Sequence, residues 1–433
     1  MLNANKMNES LPTIILGGGF VGLFTALHLS HQKYPNPVIL IDRNERFVFK
    51  PLLYEYLTEE MNDNQVNPRY EELLKGSGVK FIQDTVQKVD IEQKQVELAN
   101  NDSIAYQYLV LALGAQTGYF GIEGAKENTL PFWTRQDAIA LKNHLQDCLT
   151  RSLSTDNSQE REGASPPPAG GASVARQKLL TVAIIGAGAS GVELAGTLAD
   201  ILPQWYIKQG GEFEQIRLVL VNRGSEILSS NSEKLRTAAE KVLQQRGFPV
   251  EFQMNASVTA VRPQEVVFKR NDKQESIAAA TIVWTTGTTI NPVVKALPIS
   301  DDYRDKKGRL KVLSTMQLID RPEIFVGGDC AVNWDKSLPP TAQVAYQQGA
   351  AIAKNLQALA TDRVPDLASV TMRGTMLKLG LNKAAADIYD RLLIEGESAH
   401  LLRQGRYLTN LPTPAHNFQA TTQWLSKEVL KSI

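Results

Sequence analysis

The chain has 433 residues, with 46 basic and 46 acidic side chains and hence no formal net charge. That length supplies material for two or three packed domains, and the charge balance leaves no electrostatic footprint for a nucleic-acid partner. No apolar run approaches the roughly 20 residues that span a bilayer. The two cysteines, Cys148 and Cys330, form neither a disulfide framework nor a zinc site, so no metal is expected.

The first twelve residues lack a basic segment followed by an apolar core, so a secretory signal is not expected and a reducing, cytoplasmic-side location is the default. Thr13 to Leu16 is a short apolar run followed by Gly17, Gly19 and Gly22, which open a helix-compatible stretch to Leu29. In this setting the first glycine makes a tight turn, the second lets backbone approach a pyrophosphate, and the third lets helix pack on strand. The anion rests on amides at the helix N-terminus, where the macrodipole favours it. Asp42, twenty residues after Gly22, ends the next strand, Val38 to Asp42, and is placed to bind a ribose hydroxyl. Tyr108 to Gly114, YLVLALG, reads as a buried strand returning the chain to the first site.

A helical pattern over Ala138 to Cys148 leads into residues 152–177, rich in Ser, Asp, Pro and Gly, which have little to bury and read as a loosely ordered insertion. A second α/β unit starts at Leu179. Val182 to Ile185 precedes Gly186, Gly188 and Gly191, a second fingerprint about 170 residues after the first. The strand Arg217 to Asn222, the helix Ser232 to Arg246 and the run ATIVWTTG at 280–287 complete it. Ile324 to Asp329, IFVGGD, then reads as a strand re-entering the first unit, followed by a helix over Thr341 to Leu359; another helix and a terminal tail lie beyond Val370. Two dinucleotides in one chain point to a flavin enzyme fed by a nicotinamide cofactor.

GGGFVGL at 17–23, KPLLYE at 50–55, GAGASGVELAG at 186–196, WTTGTTINP at 284–292, GGDCA at 327–331, AQVAYQQGAAIAKNL at 342–356 and GLNKAAADI at 380–388 together resemble the type II NAD(P)H:quinone oxidoreductases. These are single-subunit, membrane-associated flavoproteins that do not pump protons. The resemblance implies an α/β fold with two Rossmann-like dinucleotide-binding domains of the flavin disulfide-reductase type and a C-terminal amphipathic segment. Residues 11–149 and 297–380 would form a discontinuous FAD-binding domain, 150–178 the Pro/Gly/Ser-rich insertion, 179–296 the NAD(P)H-binding domain and 381–433 a membrane-association segment.

By that resemblance Gly17, Gly19, Gly22, Asp42, Gly114 and Asp329 hold FAD, and Lys50 lies near the flavin entrance, where a solvated lysine is the plain alternative. Gly186, Gly188, Gly191 and Gly287 belong to the nicotinamide site. Gln343 and Gln347, four apart on one helix face, would meet the quinone head group, whose carbonyls suit neutral amide donors. Glu193, in the first turn of the second fingerprint helix, either complements the helix dipole or sits between nicotinamide and flavin as an orienting or proton-relaying group.

The chain departs from the pattern at Asn222 and Arg223, where NADH-using members carry an acid. Loss of that acid removes repulsion of a 2′-phosphate, and the guanidinium can pair with phosphate, so NADPH is expected over NADH. The resemblance is then closest to a cyanobacterial and plastid branch that reduces prenylated naphthoquinones, including the demethylphylloquinone step of phylloquinone synthesis. This implies a place on the cytoplasmic side of a thylakoid or plasma membrane, with a membrane quinone as substrate and a homodimer allowed. Phe418, Leu425, Val429 and Ile433 fall on one helical face, opposite Lys427 and Lys431 and flanked by Trp424; such a helix can lie in a bilayer surface or equally pack on the domain core, and a quinone with an isoprenoid tail tips the reading toward the membrane. The competing readings are a reductase of a soluble acceptor and a low-turnover redox-sensing flavoprotein; sulfide:quinone chemistry lacks its cysteines.

Overall fold

The computed structural model describes residues 11–157, 171–335 and 337–431. Both apolar runs that precede the glycine fingerprints are central strands. Thr13–Leu16 is entirely buried and pairs in parallel with Val38–Asp42 on one side and Tyr108–Leu111 on the other. Lys80–Gln83 extends the sheet beyond Val38–Asp42, and Arg321–Val326 lies parallel to Tyr108–Leu111 on the opposite flank. Leu310–Val312, Gln317–Leu318 and Ala331–Asn333 complete eight strands, drawn from two separate stretches of the chain, 13–111 and 310–333. Gln317–Leu318 pairs antiparallel with both of its neighbours, while the buried central strands pair in parallel and read as continuous apolar runs.

The second sheet centres on Thr181–Ile185, flanked in parallel by Arg217–Val221 and Thr281–Trp284. Its edge strands are Glu251–Gln253 and Leu130–Pro131, and Phe132, Ala138, Leu141, Leu145 and Leu149 pack into its core with Val182 and Ile184. The chain from 130 onward therefore packs with the second unit, earlier than the boundary expected at 149. The helix expected over Ala138 to Cys148 runs Arg135–Asn157, well into the stretch read as loosely ordered, and a second helix, Gly171–Leu179, closes that stretch. Residues 158–170 of the insertion lie outside the described residues.

The segment from 374 to 431 departs most from expectation. A three-stranded antiparallel meander, Gly374–Lys378, Ala384–Ile388 and Leu392–Glu395, precedes two helices, Gly396–Thr409 and Pro414–Lys431. Leu377, Leu379 and Ala385 join the core of the second unit, while the Gly374 carbonyl accepts from Gln343 of the first, so the meander spans both units. The helix Ala342–Leu359 packs on the first fingerprint helix, Phe20–His31; a Cβ on Gly349 would lie 2.7 Å from the Val21 carbonyl, and the Thr25 hydroxyl donates to the Gly349 carbonyl at 3.2 Å.

Candidate functional site

The two fingerprints fold alike. Gly17 and Gly186 have φ of +95° and +108°, a region open to glycine at little cost. A Cβ on Gly22 or Gly191 would collide with the carbonyl of Gly17 or Gly186, which fixes the helix against its strand. A Cβ on Gly19 or Gly188 would meet nothing within 4 Å, so backbone is open to a ligand at just those two positions. Asp42 accepts the Gly18 N–H at 2.7 Å and the Asn44 N–H at 2.8 Å. Asn222 makes the matching contact in the second unit, accepting the Ala187 N–H at 3.4 Å. Its amide also donates to the carbonyls of Gly224 and Glu226 at 3.3 and 2.9 Å. Asn222 thus builds the loop, while Arg223 is exposed at its edge.

One cleft of about 390 Å³ is lined from both units: by Gly19, Lys50, Gly114, Asp329 and Gln343 from the first, and by Ser190 and Glu193 from the second fingerprint helix. Gly114, at φ +64°, turns the chain out of Tyr108–Leu111 beneath it. Asp329 follows the strand Arg321–Val326 on a short 3-10 turn, Gly328–Cys330, whose Gly328 N–H donates to buried Gln348 at 2.8 Å. Among the described residues the Asp329 carboxylate has no hydrogen-bond or ion-pair partner, and burial raises its pKa against the pull of Lys50. Gly287, at φ +78°, lies in the crossing of Ala115–Thr117 with Thr288–Ile290 that joins the two units, its carbonyl taking the Gly118 N–H at 3.1 Å.

Gln343 and Gln347 do share a face, and both amides are engaged. Gln343 accepts the Arg373 N–H at 2.5 Å and donates to the Gly374 carbonyl at 3.3 Å. Gln347 accepts the Thr371 N–H at 3.2 Å and donates to the Thr371 carbonyl at 3.0 Å. The two side chains clamp residues 371–374 as one wall of the cleft, to which Met372 and Gly374 contribute.

Glu193 is buried at the floor. Its Oε1 accepts the Lys378 N–H at 2.9 Å and lies 3.6 Å from the Arg403 guanidinium. Desolvation pushes its pKa up to about 7; Arg403 and the Lys378 amide oppose that, and Glu55 adds to it. Beneath lies a charge cluster that the sequence reading missed. Fully buried Glu55 takes the Lys378 ammonium at 3.1 Å, Arg403 at 2.5 Å and the Gln404 amide at 3.0 Å, while Lys378 also reaches Glu60 at 2.7 Å. Burial would raise the Glu55 pKa, but Arg403 and Lys378 hold it well below the usual carboxylate range. The KPLLYE motif contains Glu55, yet its partners lie more than 300 residues away, and no local spacing announces them.

Both cysteines are buried. Cys330, beside Asp329, has its thiol pKa pushed to about 12 by burial and so carries no thiolate at neutral pH. Among the described residues no group of side chains could hold a metal ion, and no helix is long and apolar enough to cross a membrane. The helix Pro414–Lys431 docks through His416, whose ring contacts the Gln65 carbonyl at 3.0 Å, and through buried Ala420. Trp424 packs against the same core, whereas Phe418 and Leu425 are 76% and 50% exposed. Leu401 and Leu402 of the preceding helix are exposed as well. The side chains of Lys427, Val429, Lys431 and Ile433 lie outside the described residues.

Residues 11–349 match the pyridine nucleotide-disulphide oxidoreductase family. The chain is 34% identical to the demethylphylloquinone reductase NdbB of Synechocystis sp., covering 97% of both chains. It is 30% identical to the alternative NAD(P)H-ubiquinone oxidoreductase C1 of Arabidopsis thaliana, over 98% of this chain and 82% of the other. Its fold is similar to that of NDH2 from Plasmodium falciparum, with a TM-score of 0.82 at 18% identity, covering 97% of this chain and 98% of that one.

Proposed function

The chain belongs to the type II NAD(P)H:quinone oxidoreductases within the pyridine nucleotide-disulphide oxidoreductase family, and we propose that it is an FAD enzyme, without proton pumping, that moves electrons from NADPH to a membrane-held prenylated naphthoquinone. The observation that carries this reading is the single cleft lined from both fingerprints, with Glu193 and Gln343 on its walls. The cradle at Gly17, Gly19 and Gly22, with Asp42 beside it, fits the FAD pyrophosphate and adenosine. The unpartnered Asp329 carboxylate fits ribityl hydroxyls. FAD supplies the hydride-accepting and electron-passing chemistry, and the protein orients and tunes it.

The residues divide the remaining work. Gly186, Gly188 and Gly191 seat the nicotinamide dinucleotide, and exposed Arg223 can pair with a 2′-phosphate. Glu193, with a pKa near neutrality, is suited to hold or release a proton where the quinone takes one up. Gln343 and Gln347 set the 371–374 wall against which the quinone head group lies. Exposed Phe418 and Leu425, with Leu401 and Leu402 on the adjacent helix, give the protein an apolar face for a bilayer surface, where a prenylated quinone must be met. The setting proposed is the cytoplasmic side of a thylakoid or plasma membrane; that the relatives include proteins of Synechocystis and Arabidopsis supports a photosynthetic organism. The test is steady-state NADPH oxidation with a short-chain naphthoquinone and with a soluble one-electron carrier protein. Faster turnover with the quinone is expected; turnover with the carrier protein alone would overturn the quinone assignment.

A further inference from the structure

Lys50 opens the 3-10 turn Lys50–Leu52, whose second residue is Pro51. Its ammonium stands 3.3 Å from the centroid of the Trp133 ring and lines the cleft beside Gly114 and Asp329. Asp137, a candidate counter-ion on that side, is committed to the N–H groups of Trp133 and Thr134 at 3.0 and 2.8 Å, where it caps the helix Arg135–Asn157 and so places the indole. Asp137 and Asp329 act on Lys50 only from beyond ion-pair distance. Lys50 is therefore a cation carried into a cleft on an aromatic face, with no protein anion in contact among the described residues. Its desolvation is only partly offset by Asp329 and Asp137, and burial lowers its pKa to about 8. A site of this kind is complete when a ligand brings negative charge.

We propose that Lys50 is the counter-charge to the isoalloxazine ring of the bound flavin, standing where that ring becomes negative when it holds two electrons, and that it makes the ring easier to reduce. The inference rests on the FAD reading above. A hydride brings two electrons and one proton, so a ring that takes up no further proton carries one negative charge. When the two electrons pass to a quinone, the quinone takes one proton from the ring and one from the surroundings, and the charge at Lys50 disappears. A fixed cation beside a ring that charges and discharges in each turnover shifts its potential.

Sulfite tests this without turnover, because it adds to the oxidised flavin ring and leaves the same negative charge on it. For Lys50→Met we expect a sulfite dissociation constant about tenfold weaker and a two-electron midpoint potential about 30 mV lower, the equivalent of a tenfold change for a two-electron couple. Lys50→Arg keeps the charge and should stay near the parent in both. Lys50→Gln provides the same reading if Lys50→Met does not hold FAD, whose occupancy follows from the flavin-to-protein absorbance ratio. Unchanged sulfite affinity and potential in flavin-loaded Lys50→Met and Lys50→Gln would overturn the proposal. So would weaker FAD binding at unchanged potential, which would assign Lys50 to the pyrophosphate instead. A parent protein that neither carries nor takes up FAD would defeat the flavin reading itself, a result distinct from either.

Discussion

Replacing Glu193 with glutamine removes an ionisable group from the cleft floor while keeping the oxygen that accepts the Lys378 N–H at 2.9 Å. Desolvation raises the Glu193 pKa from an ordinary 4.5 to about 7, so the folded protein binds this proton more tightly than the unfolded chain does. The sign follows: the parent loses stability as pH rises from the ordinary value through the folded one, and the glutamine variant does not. Each tenfold in proton affinity is worth about 1.4 kcal/mol, which makes the ionised carboxylate cost the parent about 3 kcal/mol. Glu193→Gln should therefore differ from the parent by less than about 1 kcal/mol at pH 5 and exceed it by about 3 kcal/mol at pH 8. Urea unfolding with excess FAD at the two pH values reads this as a gap between midpoints that opens with pH. The same variant should lose any limb near pH 7 in the rate of flavin reoxidation by quinone. Equal destabilisation at both pH values would refute the reasoning and leave Glu193 as an ordinary ion-pair partner of Arg403.

Gln343→Leu and Gln347→Leu each release part of the 371–374 wall. Each should slow flavin reoxidation by quinone up to about tenfold, the scale of one or two lost hydrogen bonds, while flavin reduction by NADPH stays nearly intact; unchanged reoxidation in both variants would place the quinone elsewhere. Deleting Ala415 to Ile433 should release the protein from liposomes in flotation and spare turnover with a water-soluble quinone. Because that deletion also uncovers the surface on which His416 and Ala420 pack, the paired change Phe418→Ser and Leu425→Ser gives a milder check with the same expected loss; undiminished flotation in both would remove the anchor. Arg223→Ala should lower the kcat/KM preference for NADPH over NADH by roughly tenfold to a hundredfold, the worth of a charge-assisted bond of about 1.5–3 kcal/mol, and a parent that prefers NADH would contradict the assignment. Asn222→Glu is the blunter change, since Asn222 also holds the 224–226 loop.

The fingerprints were legible because their demands are local. Gly17 and Gly186 need positive φ, Gly22 and Gly191 need the absence of a Cβ, and Asp42 falls at the strand end that the spacing sets. Asn222 was legible as a missing acid but not as a loop-builder, since its partners depend on how 224–226 returns toward it. The glutamine face was read correctly as a face, while its engagement with 371–374 required a strand that composition disguises. Ala384–Ile388, AAADI, has poor strand propensity and pairs because neighbouring strands and the core around Leu377 and Ala385 enclose it. Trp424 read as an interfacial anchor and packs inward, because an aromatic at the edge of a stripe serves either side. The Glu55, Lys378 and Arg403 cluster left no trace in periodicity; buried charges from distant segments compensate one another only once the chain has folded.

A cleft that takes electrons from NADPH and passes them to a quinone must run both half-reactions on one bound flavin. Double-mixing stopped flow on the anaerobic, flavin-loaded protein tests it directly: NADPH first, then a short-chain naphthoquinone, with flavin absorbance followed throughout. Bleaching is expected on the first mix and full recovery on the second, at rates no slower than steady-state turnover. Flavin that NADPH bleaches but the quinone leaves reduced, while a soluble carrier protein restores it, would rule out the quinone as acceptor.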